Sequence, residues 1–166
     1  MTRPILTIGL LLANVFISLG QIKVQEIKID LQLTGFKFAK DMDGMLVYLP
    51  NGKADLESKG DPSSFSIHTE PDMTYERSVG YIDYQMDYSK RHGAILSDIL
   101  KKDTTIHGYS AYEVTFTEQT KGFTGKRLNY YAFFLKGSTA IIFLSGDTEN
   151  GKYIQKLKTT FRKTSI

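Results

Sequence analysis

The chain has no cysteine among its 166 residues. That absence excludes disulfide redox chemistry, thiol nucleophiles and thiolate metal sites together. It also excludes a lipid attached to a cysteine behind an apolar leader. Charge of one sign is barely in excess: 21 Lys and Arg against 18 Asp and Glu give a formal net charge of +3, of which Arg3 supplies one. Proteins that bind nucleic acid concentrate positive charge on one face, so this balance gives no argument for such a partner. A run of about 20 apolar residues, the length that crosses a bilayer as a helix, is also missing. No internal repeat or low-complexity tract is present.

What the N-terminus does carry is a shorter apolar stretch. No charged residue stands between Ile5 and Ile17, and Leu10-Leu11-Leu12 lies in its middle. Arg3 precedes it, and Ser18 and Gly20 put small residues at the −3 and −1 positions of a cleavage point. This is the order of a secretory signal. A core helix would show a polar face, and only Thr7, Gly9 and Asn14 interrupt the run. The expectation is a cleavable signal over residues 1–20 and a secreted product, periplasmic or extracellular, with no stable membrane anchor after cleavage. Residues 21–166 then form a single domain. At that size a chain buries about 68–70% of its unfolded surface, enough for a core without covalent staples.

Apolar residues alternate from Ile22 to Leu33, which predicts a strand, and one slip at Gln25-Glu26 marks either a bulge or the point where pairing begins. Strand-like pieces follow at 36–38 and 46–49 around an Asp43-Gly44 turn. Residues 53–63 are polar and predict a surface loop, and Phe65 and Ile67 mark another short strand. A helix is predicted over 73–91, capped by Asp72 and closed by Gly93, with Tyr75, Val79, Ile82 and Met86 on one inward face. Strands then read at 95–101, 109–117, 126–135 and 139–145, with turns at 106–108, 121–125 and 136–138. A last helix over 148–162 turns Tyr153, Ile154, Leu157 and Phe161 inward. The order gives an α+β domain, an antiparallel β-sheet with two main helices packed on it.

From Phe65 to Phe161 the chain resembles the PsbP-like superfamily, which takes in PsbP, Mog and DcrB domains. The resemblance rests on Phe65-Ser66-Ile67, the amphipathic helix ending at Arg91, and the step Ile106-His107-Gly108-Tyr109-Ser110-Ala111-Tyr112 into a central strand. A hairpin rich in Tyr and Phe, Ala140-Ile141-Ile142-Phe143-Leu144 and a helix ending Thr159-Thr160-Phe161 complete it. The Pro-x-x-Trp often found near the first hairpin of these domains is missing, since the chain has no Trp. The resemblance implies an α-β-α sandwich and a non-enzymatic role as an assembly or accessory factor.

Each pattern that could carry chemistry lacks a residue or a spacing that the chemistry needs. His68, His92 and His107 have no i, i+4 pairing and read as isolated surface or loop residues, so no metal site is nominated. Asp41-Met42-Asp43-Gly44 begins like a calcium loop, but the twelfth position is Gly52 where a bidentate Glu is needed. Gly108-Tyr109-Ser110-Ala111-Tyr112 lacks the second glycine of a nucleophile elbow. Gly122-Phe123-Thr124-Gly125-Lys126 lacks the spacing of a phosphate-binding loop. Carboxylates read as loop and helix-surface groups, and the basic run Lys152, Lys156, Lys158, Arg162 and Lys163 reads as the solvated face of a last helix, with contact to anionic lipid or nucleic acid as the alternative. No catalytic residue and no cofactor is expected.

One pattern exceeds this background. Tyr81, Tyr84 and Tyr88 form a second stripe on the 73–91 helix, roughly opposite the aliphatic one. Tyrosine is favoured where one end of a side chain is apolar and the other wet, as at interfaces. Either the rings cover the core edge or a loop folded over the helix, or they meet a partner. The leading expectation is an exported, non-enzymatic accessory protein that binds another protein in the cell envelope. A carrier of a small apolar ligand is the alternative, and an enzyme of unrecognised type stands behind it.

Overall fold

A computed structural model describes residues 22–57, 62–120 and 125–166. The expected signal over residues 1–20 and most of the turn at 121–125 lie outside the described residues. Seven strands form one sheet: β1 (Lys37–Met42), β2 (Met45–Leu49), β3 (Ser64–Glu70), β4 (Ala94–Ile106), β5 (Tyr109–Thr120), β6 (Arg127–Lys136) and β7 (Thr139–Asp147). Three helices join them, α1 (Lys53–Leu56), α2 (Tyr75–Arg91) and α3 (Ile154–Lys163). The strand order is β1-β2-β3-β7-β6-β5-β4, and every neighbouring pair is antiparallel. The chain leaves β3, crosses one face as α2, enters the far edge as β4, and meanders back until β7 pairs with β3.

The hairpins are fixed by their turn residues. Asp43 and Gly44 both hold positive φ, at 52° and 89°, and so do His107 and Gly108, at 53° and 80°. Two such residues in a two-residue loop twist with the strands they join. The strand after His107-Gly108 is one place in from the sheet edge. The centre of the sheet is β7.

Period-2 alternation divides the sheet into two buried faces. Phe65, Ile67, Tyr130, Phe134, Ile141 and Phe143 lie on the side covered by Leu157 and Phe161 of α3. Tyr112, Val114, Phe116, Phe133 and Ile142 lie under Ile82 and Met86 of α2. Tyr48, Phe65 and Phe143 stack across β2, β3 and β7 with centroid spacings of 4.6 and 4.9 Å. Helices on both faces make this the expected α-β-α sandwich.

Four expectations need correction. Residues 22–33 do not form a strand. Val24–Glu26 is a 3-10 turn, and the backbone meets the rest of the chain at an isolated bridge between Lys28 and Ser165. The slip at Gln25-Glu26 is that turn, whose three-residue period brings Val24 and Ile27 into the α3-side core together. The loop over 53–63 contains the short helix α1. The N-cap of α2 is Thr74, whose hydroxyl accepts the Arg77 N–H at 3.3 Å, while Asp72 sits at φ 54° outside the helix. The last helix begins at Ile154, because the residues from Thr148 onward turn around the side chain of Asp147.

Candidate functional site on the long helix

Packing against β4, β5 and β6 leaves one side of α2 outward. Ile82 and Met86 are buried, with Tyr75 and Val79 half-buried against the same cluster, as their spacing predicts. Lys101 of β4 donates to Asp83 at 2.7 Å, and the Tyr75 hydroxyl bonds to Asp103, so the helix is also pinned by polar contacts to the edge strand.

The tyrosine stripe divides. Tyr84 and Tyr88 are 54% and 49% exposed. The Arg91 guanidinium lies 5.2 Å from the Tyr84 ring centre, and the Tyr88 ring lies 4.0 Å from that of His92. Tyr81 instead turns toward β3, and its hydroxyl stands 3.1 Å from His68 Nε2. Burial, and then the charge of Glu70, pushes the Tyr81 phenol up. Tyr81 therefore covers the core edge, and Tyr84 and Tyr88 face outward.

His68 is 6% exposed, which corrects its reading as a surface residue. Burial pulls its pKa down to about 4, so the imidazole is neutral at pH 7. Glu70 Oε1 lies 3.7 Å from Nε2, and Nδ1 is buried without a partner. Tyr81 and Glu70 separate two open clefts. One, of about 510 Å³, also takes Met42, Met45 and His68, and the other, of about 410 Å³, takes Met73, Arg77 and Tyr84. A neutral, weakly basic imidazole beside an un-ionised phenol offers hydrogen bonds but is poorly matched to proton transfer near pH 7. The arrangement suits contact, with exposed rings flanked by shallow hollows.

Two buried carboxyl groups escape the sequence reading, which places carboxylates on loops and helix surfaces. Glu113 of β5 pairs with Arg162 of α3, and Asp147 at the end of β7 organises the start of α3. Arg162 stays half exposed on the basic face while its guanidinium reaches inward to Glu113. A glutamate at an inward position between Tyr112 and Val114 was the available signal for the first. Among the described residues, no group of three His, Asp or Glu side chains could hold a metal ion, and no helix is long and apolar enough to cross a membrane.

The seven-stranded antiparallel sheet with α2 on one face and α3 on the other is a PsbP-like fold. No protein-family model matches the chain, and no curated protein matches it. Solved structures do. LpqN of Mycobacterium tuberculosis, described as involved in cell envelope biogenesis, aligns with TM-score 0.58 at 11% identity over 84% of this chain and 82% of its own. The cyanobacterial PsbP of Synechocystis sp. PCC 6803 gives 0.52 at 13% identity, covering 84% and 91%. The Saccharomyces cerevisiae Ran-binding protein Mog1p gives 0.54 at 11%, covering 80% and 86%. At these identities the likeness is one of fold.

Proposed function

We propose that the chain is an exported, non-enzymatic accessory protein that binds another protein through the outer side of α2. Tyr84 and Tyr88 supply the contact rings, and Tyr81 is the prop that holds their helix against β3. The carrying observation is that two tyrosines stand half exposed on a helix whose opposite side is locked into the core. Such rings bring large contact area at low entropic cost, and their unburied half is the part a partner would cover. Export is supported by the signal-like order of residues 1–20 and fits the envelope role given for LpqN. A binding role fits the description of Mog1p as Ran-binding.

The test is affinity capture from envelope extracts with the tagged, exported protein. The Tyr84→Ser/Tyr88→Ser variant should lose the captured partner while keeping the wild-type unfolding midpoint. Unchanged capture removes this face from the reading. Sequencing the N-terminus of the same material should give Gln21, and a product starting at Met1 would remove export.

A further inference from the structure

A second surface lies on the other face of the sheet, between α3 and the edge strand β4. A cleft of about 200 Å³ is lined there by Leu100, Lys102, Glu113, Thr115, Tyr130, Lys158 and Arg162. Glu113 and Arg162 cancel one another, because both carboxylate oxygens are taken by the guanidinium. Two cations are left. Lys158 stands over the Tyr130 ring at 5.8 Å, and neither it nor Lys102 makes an ion pair among the described residues. Burial, and to a lesser degree the Arg162 charge, holds the Lys158 pKa down against the pull of Glu113. An ammonium that is partly desolvated, while the nearest carboxylate is already engaged by Arg162, carries a cost that an incoming anion lowers.

One wall of the cleft is apolar. Leu100 on that wall is 71% exposed, and outside the cleft Ile99 and Ile95 continue the exposed aliphatic groups along β4. Leu100 pairs with Thr115 and Lys102 with Glu113, so both side chains project on the cleft side of the sheet. Exposed aliphatic groups next to unpaired cations match a ligand with the same two parts.

We propose that this cleft binds single acidic amphiphiles, with an anionic head between Lys102 and Lys158 and an aliphatic chain leaving the cleft over Leu100. The site shares no residue with the α2 surface, so either can fail without the other.

The test is an NMR titration of the protein, purified as it is natively produced, with octyl phosphate, inorganic phosphate and octyltrimethylammonium. Octyl phosphate should saturate shifts at Leu100, Thr115 and Tyr130 and bind at least about tenfold more tightly than inorganic phosphate, as expected for burial of one large aliphatic side chain. Lys102→Met and Lys158→Met, which keep most of the stems, should each weaken it about fivefold. The Lys158 ammonium should titrate at higher pH in the complex. Equal affinity for inorganic phosphate would remove the apolar half of the proposal, and equal affinity for the cationic amphiphile would remove the electrostatic half. No saturable shift, or wild-type affinity in both lysine variants, overturns it. The amide spectrum of each variant shows directly whether the fold is kept.

Discussion

Glu113 of β5 and Arg162 of α3 make a two-point pair, with Nε donating to Oε1 at 2.7 Å and Nη2 to Oε2 at 2.6 Å. The Tyr130 hydroxyl donates to the same Oε1 at 2.9 Å. Burial alone would push the Glu113 carboxyl up. The Arg162 and Tyr130 hydrogen bonds outweigh it and hold the group below the ordinary glutamate value of 4.5. The pair therefore exists charged at neutral pH, and it ties the last turn of α3 to the sheet.

Removing one partner strands the other. Arg162→Met should cost about 2 kcal/mol in urea denaturation at pH 7, below the usual figure for a broken buried pair because the guanidinium is half exposed. Glu113→Leu/Arg162→Met should recover more than half of that loss. Because the folded pKa is depressed, the contribution of Glu113 is complete above pH 4.5 and disappears as pH falls through the folded value. A neutral single variant, or a double variant as unstable as the single, would contradict this account.

His68 gives a second acid-sensitive term in a different window. Its pKa falls from 6.5 to about 4 on folding, so the unfolded chain takes up the proton first as pH drops. Stability is complete above pH 6.5, declines between 6.5 and 4, and is lower by about 3 kcal/mol at the bottom of that window. Denaturation of wild type and His68→Phe at pH 7.5 and pH 4.5 checks it. The variant should lack the decline between those two values. Parallel losses in both proteins would mean that the imidazole is not the sensor.

Much of the fold was legible because its signals are local. Asp43-Gly44 and Gly137-Ser138 place two hairpins, Ile82 and Met86 fix the buried side of α2, and Leu157 and Phe161 fix that of α3. Residues 102–106 of β4 were missed because an edge strand is solvated and this one carries Lys102 and Asp103, which discourage further pairing. Residues 22–33 misled for the opposite reason. Alternating apolar residues were buried, but by a 3-10 turn and extended chain filling the α3 side. The polar interior was illegible because its partners are distant in sequence. Glu113 meets Arg162 49 residues on, and Asp147 meets Ser63 84 residues back. The tyrosine stripe was visible as a pattern, but only the position of His68 separates Tyr81 from Tyr84 and Tyr88.

Asp147 tests how α3 is started. Its side chain accepts the N–H groups of Glu149 at 2.8 Å, Tyr153 at 2.6 Å and Ile154 at 2.9 Å, and the Ser63 hydroxyl at 3.3 Å. These satisfy donors that a helix start leaves free. Asp147→Ala should cost about 3 kcal/mol, more than an ordinary cap, because the site is fully buried. Asp147→Asn keeps one acceptor oxygen and should lose less. Thermal unfolding followed by circular dichroism checks the order, and an alanine variant as stable as wild type would show that water replaces the carboxyl group.

The division of the stripe predicts unequal stability effects from chemically equal changes. Tyr84→Ser and Tyr88→Ser remove rings that are half in solvent, so each should shift stability by no more than about 0.5 kcal/mol. Tyr81→Ser uncovers the core edge and removes the hydroxyl beside His68 Nε2, leaving the imidazole less satisfied, and should cost about 2 kcal/mol. Tyr81→Phe separates the two parts: the ring stays and only the hydrogen bond goes, so its loss should be near 1 kcal/mol. The three positions lie on one helix, so helix propensity cannot account for a difference of that size between identical substitutions. Equal losses at all three would mean that Tyr84 and Tyr88 are as deeply packed as Tyr81, and no contact rings would remain for a partner to cover.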